Sequence, residues 1–239
     1  SVTVLRNEKG GLLVGTEQGL FRRTESDYTH IGLRNPEIRG VVRLGEDGLL
    51  VGVKGDGSYF QKVLFKSQIG EDSWKPFTNN LGGDEGHSFV NALSSLNSSS
   101  DTLFVAGTSA VIARSTNGGV SWELVSGRWD NFAGLGMFIE LDPFRPGRIW
   151  SGGVTGMSHP YLMRSTDYGA NWEELESIGE VEGTSVESVA YDVVAHPEDP
   201  QRVLVGFGGA FAKARHVKRS TDGGDHWQVV LSQTGIHSF

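Results

Sequence analysis

The sequence predicts an all-β fold, a β-propeller of four-stranded antiparallel blades. Three observations carry this prediction: a turn motif that recurs in phase, two strand-like runs that precede it each time, and an excess of glycine. The motif decides the architecture, because self-similarity at a period of 40–55 residues marks a repeat fold. Ser115–Trp122, Ser165–Trp172 and Ser220–Trp227 align without gaps as S-T-[DN]-x-G-x-x-W, each preceded by arginine, at Arg114, Arg164 and Arg219. Two weaker copies lie upstream. Ser67 to Trp74 keeps the terminal residues, with Ile69 at the acidic position, and Thr24 to Ile31 keeps the outline. The copies begin at 24, 67, 115, 165 and 220, spacings of 43, 48, 50 and 55.

Each repeat reads as strands A, B, C and D. Strand A is the run Val2–Leu5, Arg39–Leu44, Phe89–Leu96, Gly136–Leu141 or Val189–Ala195. Strand B follows as Leu12–Gly15, Leu49–Gly52, Leu103–Gly107, Ile149–Gly152 or Val203–Gly206, an apolar run that ends in small residues. The motif then occupies the C–D turn, and runs such as Glu123–Val125 and Gln228–Leu231 form the outer strand. No segment sustains a 3.6-residue period, so almost no helix is expected. Glycine fills 34 of 239 positions against 7 prolines, which fits short strands joined by tight turns. The expected organisation is one domain over 1–239 with five visible repeats, approximately 1–35, 36–81, 86–128, 131–178 and 186–232. Residues 235–239 resemble the start of a further strand A. A closed five-bladed ring and part of a six- to seven-bladed propeller both remain open.

The motif has a structural logic of its own. Ser115, Asn117, Gly119 and Trp122 are expected to tie a hairpin together, as are Ser165, Asp167, Gly169 and Trp172, and Ser220, Asp222, Gly224 and Trp227. A short polar side chain accepts backbone N–H groups in the turn, glycine supplies a positive φ, and the tryptophan packs between neighbouring blades. Because Asn117 does the work of Asp167 and Asp222, the motif needs an acceptor and not a charge.

These copies resemble the Asp-box, or BNR, repeat of sialidases, endo-xyloglucanases and related glycoside hydrolases, sortilin-type receptors and a photosystem-assembly propeller family. The resemblance spans the five repeats and implies the propeller. It implies no one function, since those families range from enzymes to receptors to assembly factors. Sialidases of this type carry an R-I-P segment and an arginine triad. No R-I-P is present here, and Arg6, Arg22 and Arg23 lack that context. The xyloglucanase type places two aspartates across a cleft between two propellers, which a single propeller does not supply.

Composition narrows the partners. The formal net charge is -8 with interspersed signs, and Lys213, Arg215, His216, Lys218 and Arg219 form the only basic concentration, so no nucleic acid is expected. No apolar run is long enough for a helical membrane span. With no cysteine there is no disulfide or thiolate metal site. His87, His159 and His216 lie on different repeats without ligand spacing, so neither metal nor cofactor is expected.

Function is expected on the long B–C and D–A loops, opposite the motif face. These gather the ligand-binding candidates Asp56, Tyr59, His87, Arg128, Trp129, Asp130, His159, Tyr161, Arg215 and His216. Aromatic rings beside carboxylates and arginine suit glycan or protein recognition. Trp129 is the most informative of them, being outside every motif copy. Asp84, Glu85 and Asp130, with Glu180 and Glu182, are the candidate carboxylates for glycoside hydrolysis. A non-catalytic binding or scaffold module is the first reading and a glycoside hydrolase the alternative.

Overall fold

The structure is a computed structural model that describes residues 2–8, 11–25, 27–55, 63–71, 73–77, 80–81, 90–96, 101–107, 112–126, 134–142, 144–155, 159–175, 189–208 and 214–234. Its described residues are all strand, turn and loop, and no helix among them could cross a membrane. Among the described residues, twenty strands form five four-stranded antiparallel sheets. The first sheet is β1 (Val2–Glu8), β2 (Gly11–Thr16), β3 (Gly19–Arg23) and β4 (Tyr28–Gly32). The second is β5 (Ile38–Leu44), β6 (Gly48–Val53), β7 (Leu64–Gln68) and β8 (Lys75–Pro76), and the third is β9 (Val90–Ser95), β10 (Leu103–Gly107), β11 (Ile112–Ser115) and β12 (Glu123–Ser126). The fourth is β13 (Gly134–Leu141), β14 (Ile149–Thr155), β15 (His159–Ser165) and β16 (Glu173–Glu174). The fifth is β17 (Val189–Ala195), β18 (Val203–Gly208), β19 (Ala214–Ser220) and β20 (Gln228–Thr234). Each sheet is a meander whose sequential strands are neighbours, the blade unit of a propeller.

The chain divides into two compact units, Ser1–Thr108 with Ala113–Leu124, and Ser109–Ile112 with Val125–Phe239. In the first, β5 packs on β1 and β2, and β9 packs on β5 and β6. In the second, β17 packs on β13, β14 and β15. The core of the second unit joins Phe138, Trp150, Leu162 and Leu175 of the fourth sheet to Ala190, Val193, Val203, Val205 and Phe207 of the fifth.

The small residues that end each strand B share one register position. Every strand A is bulged at one register, between Val2 and Val4, Ile38 and Gly40, Val90 and Ala92, Gly136 and Phe138, and Ala190 and Asp192. The residue opposite the end of the bulge is Gly15, Gly52, Ala106, Gly152 or Gly206. A Cβ on Gly52 would stand 2.9 Å from Val90, and one on Gly152 would stand 2.9 Å from Phe138. At Gly152 the crowding comes from Phe138 of the bulged strand, at Gly52 from Val90 and Leu93 of the next sheet, whereas the space around Gly206 is open.

The three complete turn motifs share one hydrogen-bond pattern. Ser165 Oγ accepts the amides of Asp167 (3.3 Å) and Gly169 (2.9 Å) and donates to Asp167 Oδ1 (2.9 Å), which accepts the Asn171 amide (2.8 Å). Ser220 and Asp222 repeat this at Gly224 and His226, and Ser115 and Asn117 repeat it at Gly119 and Ser121. The aspartates are held as anions. The Asn171 amide and side chain lower Asp167 to about 2, and the His226 amide with Ser220 lowers Asp222 further. The motif tryptophans link sheets. Trp74 Nε1 donates to Ile31 O (2.8 Å) within the first unit, and Trp227 meets Trp150 edge-on at 6.4 Å within the second.

Ser220 is wholly buried, and its hydroxyl satisfies two turn amides. Ser220→Ala is expected to destabilise the second unit by about 2 kcal/mol, because the Asp222 and Gly224 amides lose their acceptor. Asp222→Asn is expected to change stability far less, as Asn117 already performs that role. Urea denaturation of the two variants measures the contrast.

Candidate functional site

Much of the expected site lies outside the described residues: Asp56, Tyr59, Asp84, Glu85, His87, Arg128, Trp129, Asp130, Glu180 and Glu182, together with 235–239. Four of the expected residues are placed. His159 is the first residue of β15. Arg215 is exposed on β19. Tyr161 and His216, expected on open loops, are instead buried strand residues. The cause is strand length: β15 starts at His159 and β19 at Ala214, so both side chains enter the ladder. Tyr161 stands opposite Gly153 and His216 opposite Phe207, on which its ring stacks at 4.6 Å. Burial, and then the charge of Glu174, push the Tyr161 phenol above its ordinary range. Both side chains are buried rather than presented on an open loop.

The second unit instead carries a cavity of about 570 Å³ between the innermost strands of its two sheets. Two carboxyls line it, Glu140 near the end of β13 and Asp192 at the bulge of β17. Phe144, Val194 and Pro197 give it apolar walls, with Phe144 and Val194 solvent-exposed. Both carboxyls reach solvent, yet protein surrounds them closely. Burial, and then the charge of Asp192, push Glu140 up to about 7. Burial also raises Asp192, against the Val193 amide that donates to its Oδ1 at 2.9 Å. Among the described residues, no lysine, arginine or histidine pairs with either carboxyl.

A third acid on the cavity wall behaves oppositely. Asp142 is buried, which alone would raise it, but the Phe144 amide (2.9 Å), Arg145 (2.9 Å) and Arg148 (2.7 Å) hold it below its ordinary value. Arg148 also donates to Pro200 O at 2.9 Å and lies over the Trp150 ring. Asp142 is therefore a fixed anion that shapes the A–B turn, whereas burial raises both Glu140 and Asp192, Glu140 to about 7. Among the described residues no three His, Asp or Glu side chains are placed to hold a metal ion.

Glu140 and Asp192 were absent from the sequence-based candidates because mid-strand acids look like an ordinary solvent face. Register supplies the missing signal. Glu140 occupies the position held by Val42 and Ser94 in other sheets, and Asp192 that of Gly40 and Ala92. In Asp192→Asn, Glu140 is expected to titrate below its wild-type value of about 7 yet stay above an ordinary glutamate, since burial is the larger cause. Carboxyl-carbon NMR titration reads this directly.

No protein-family model matches the chain, and no curated protein matches it. Solved structures do. A GH74 enzyme of Niastella koreensis is similar at 16% identity over 95% of this chain and 38% of that one, with a TM-score of 0.65. The GH74 xyloglucanase of Xanthomonas campestris is similar at 14% identity over 96% of this chain and 45% of that one, TM-score 0.59. YCF48 from Cyanidioschyzon merolae is similar at 11% identity over 93% of this chain and 65% of that one, TM-score 0.54. The chain spans less than half the length of the two GH74 structures. At such identities the likeness establishes the fold alone, and with the five sheet meanders it makes this chain a β-propeller module.

Proposed function

We propose that this propeller module is a non-catalytic binding or scaffold unit that takes up a protein or glycan. One observation carries the reading: the Glu140–Asp192 pair in its cavity, with no cation of the described residues to neutralise it. A protonated and an ionised carboxyl lining one cavity offer both hydrogen-bond donor and acceptor to a ligand hydroxyl, and an ionised oxygen to an ammonium or guanidinium group. The exposed Phe144 ring beside them adds an apolar platform, the mix expected of a recognition site. The loops carrying Asp56, Tyr59, His87, Arg128, Trp129 and Asp130, with His159 and Arg215, belong to the proposal as separate candidate contacts, not as part of this cavity. Glycan and peptide arrays probed with the purified chain are expected to give ligands whose binding falls at least tenfold in Glu140→Gln/Asp192→Asn. Array hits that ignore this double substitution would remove the cavity from the proposal.

One feature also supports glycoside hydrolysis. A carboxyl ionising near pH 7 next to a second carboxyl is the arrangement that lets one act as general acid while the other is ionised. Under that reading, hydrolysis of an aryl glycoside panel would follow the Glu140 titration and vanish in Glu140→Gln. Binding without turnover across the panel would leave the first reading in place.

A further inference from the structure

We propose that the outward face of the fifth sheet is a docking surface for a further four-stranded repeat of the same kind as the sheets in this chain. The bulge register makes residues in different sheets strictly comparable. Two positions before the small residue of strand B stand Leu13, Leu50, Phe104, Trp150 and Leu204. Exposure there is 2%, 0%, 0% and 1% in the first four sheets, and 40% for Leu204. One large apolar residue in this series is uncovered.

The surroundings of Leu204 repeat those of Trp150 group by group. In the fourth sheet the face around Trp150 is covered by the fifth, through three kinds of contact. Gly224 of the next turn sits against the indole, so that a Cβ there would stand 2.6 Å from it. Arg164 reaches over to Asp225 Oδ1 (2.8 Å) and Gly223 O (2.7 Å). Arg148 reaches Pro200 O in the next A–B turn (2.9 Å). The first contact recurs in the other unit, where Gly119 lies against Leu50.

Among the described residues, the fifth sheet presents the same three groups without a cover. Leu204 replaces Trp150, Arg219 replaces Arg164, and Arg202 replaces Arg148. Arg202 is exposed and turns back to Asp199 of its own loop (3.0 Å). Arg219 is exposed too. Its cross-strand partner is Gln228, where Arg164 has Glu173, and among the described residues it has no carboxylate. Val217, at the position of the buried Leu162, completes the apolar strip with the exposed Leu231 opposite it.

These groups define the chemistry of the occupant. It carries a glycine in its C–D turn to lie on Leu204, a carboxylate next to that glycine for Arg219, and an A–B turn carbonyl for Arg202. Its covering strands alternate apolar residues as Val203, Val205 and Phe207 do. A second copy docking the same face would bring like apolar strips together and leave both Arg219 guanidinium groups without a carboxylate, so a repeat with an acidic turn fits better.

Two experiments decide this. In the 239-residue chain, Leu204→Asp is expected to leave the thermal midpoint within about 2 °C while lowering binding of a hydrophobic dye, as befits an open face. A large drop in midpoint would mean that the face is already covered within the chain and would overturn the proposal. So would a dimer in sedimentation that Leu204→Asp dissociates, since the occupant would then be a second copy. Separately, the chain is extended after Thr234 by a duplicate of residues 176–234, which contains the sheet that covers the equivalent face of the fourth. With Leu204→Asp in the duplicated copy, so that the new outer face is polar at that position, the extended chain is expected to lose dye binding and to melt roughly 5 °C higher. Arg219→Glu should cancel that gain in the extended chain and do nothing in the original, and arginine in place of aspartate in the duplicated turn should restore it. A folded extension with unchanged midpoint and dye binding would sink the idea. If the extension does not fold, the Leu204→Asp and sedimentation results decide alone.

Discussion

Trp150→Ala is expected to destabilise the second unit by about 4 kcal/mol. The indole is 1% exposed and sits where the two sheets meet. Trp227 packs edge-on against it, and the guanidinium groups of Arg148 and Arg164 lie over its ring at 5.4 Å and 5.9 Å. Removing the ring therefore leaves a cavity and strips two arginines of an apolar support on which they reach the next sheet. The surrounding backbone cannot collapse to fill the space, because Gly224 at φ +110° is fixed by the Ser220 hydroxyl and has no side chain to offer. Trp150→Phe is expected to cost much less. Trp150 Nε1 has no hydrogen-bond partner among the described residues, so phenylalanine keeps much of the apolar contact and forfeits no hydrogen bond. Urea unfolding followed by far-UV circular dichroism gives both values, and an Ala variant within 1 kcal/mol of wild type would contradict this account of the interface.

What was legible in the sequence follows from how local the governing physics is. The Ser–Asp–Gly–Trp turns could be read directly because their hydrogen bonds run between residues two to four apart. The small residue ending each strand B was visible too, although the bulge in strand A that it faces depends on pairing between strands. Strand ends past the turns were not legible. Tyr161 and His216 looked like loop residues because their sequences contain polar neighbours, and only pairing with Gly153 and Phe207 turns them inward. The Glu140–Asp192 site was illegible for a related reason. Each acid alone resembles an exposed alternate position, and it takes the apposition of β13 and β17 to make two carboxyls share one cavity.

Acidification from pH 6.5 to 4 is expected to remove up to about 3 kcal/mol of stability through His216 alone. The ring is 3% exposed, lies nearly parallel to Phe207, and has no hydrogen-bond partner for either nitrogen among the described residues. Burial first, and then the charge of Lys218, push its pKa down to about 4 from an ordinary 6.5. The folded state thus keeps the ring neutral while the unfolded chain takes up a proton below 6.5. Stability is intact above that pH, falls as the pH drops through the window, and levels off below about 4, where both states are protonated. Glu140 acts in the opposite sense. Its folded pKa of about 7 lies above the ordinary 4.5, so the folded state gains protons first and acidification between 7 and 4.5 favours folding. The net curve of the wild type is therefore shallow where the two windows overlap, and each residue is exposed by removing the other. His216→Leu should become more stable relative to wild type at pH 4.5 than at pH 7.5, whereas Glu140→Gln should steepen the acid loss. The turn aspartates do not confuse this reading, because Asp167 and Asp222 are held below their ordinary value and lose their contribution only at lower pH. Equal pH dependence in wild type and His216→Leu would mean that the imidazole is solvated in the folded chain, contrary to its place between β18 and the core of the second unit.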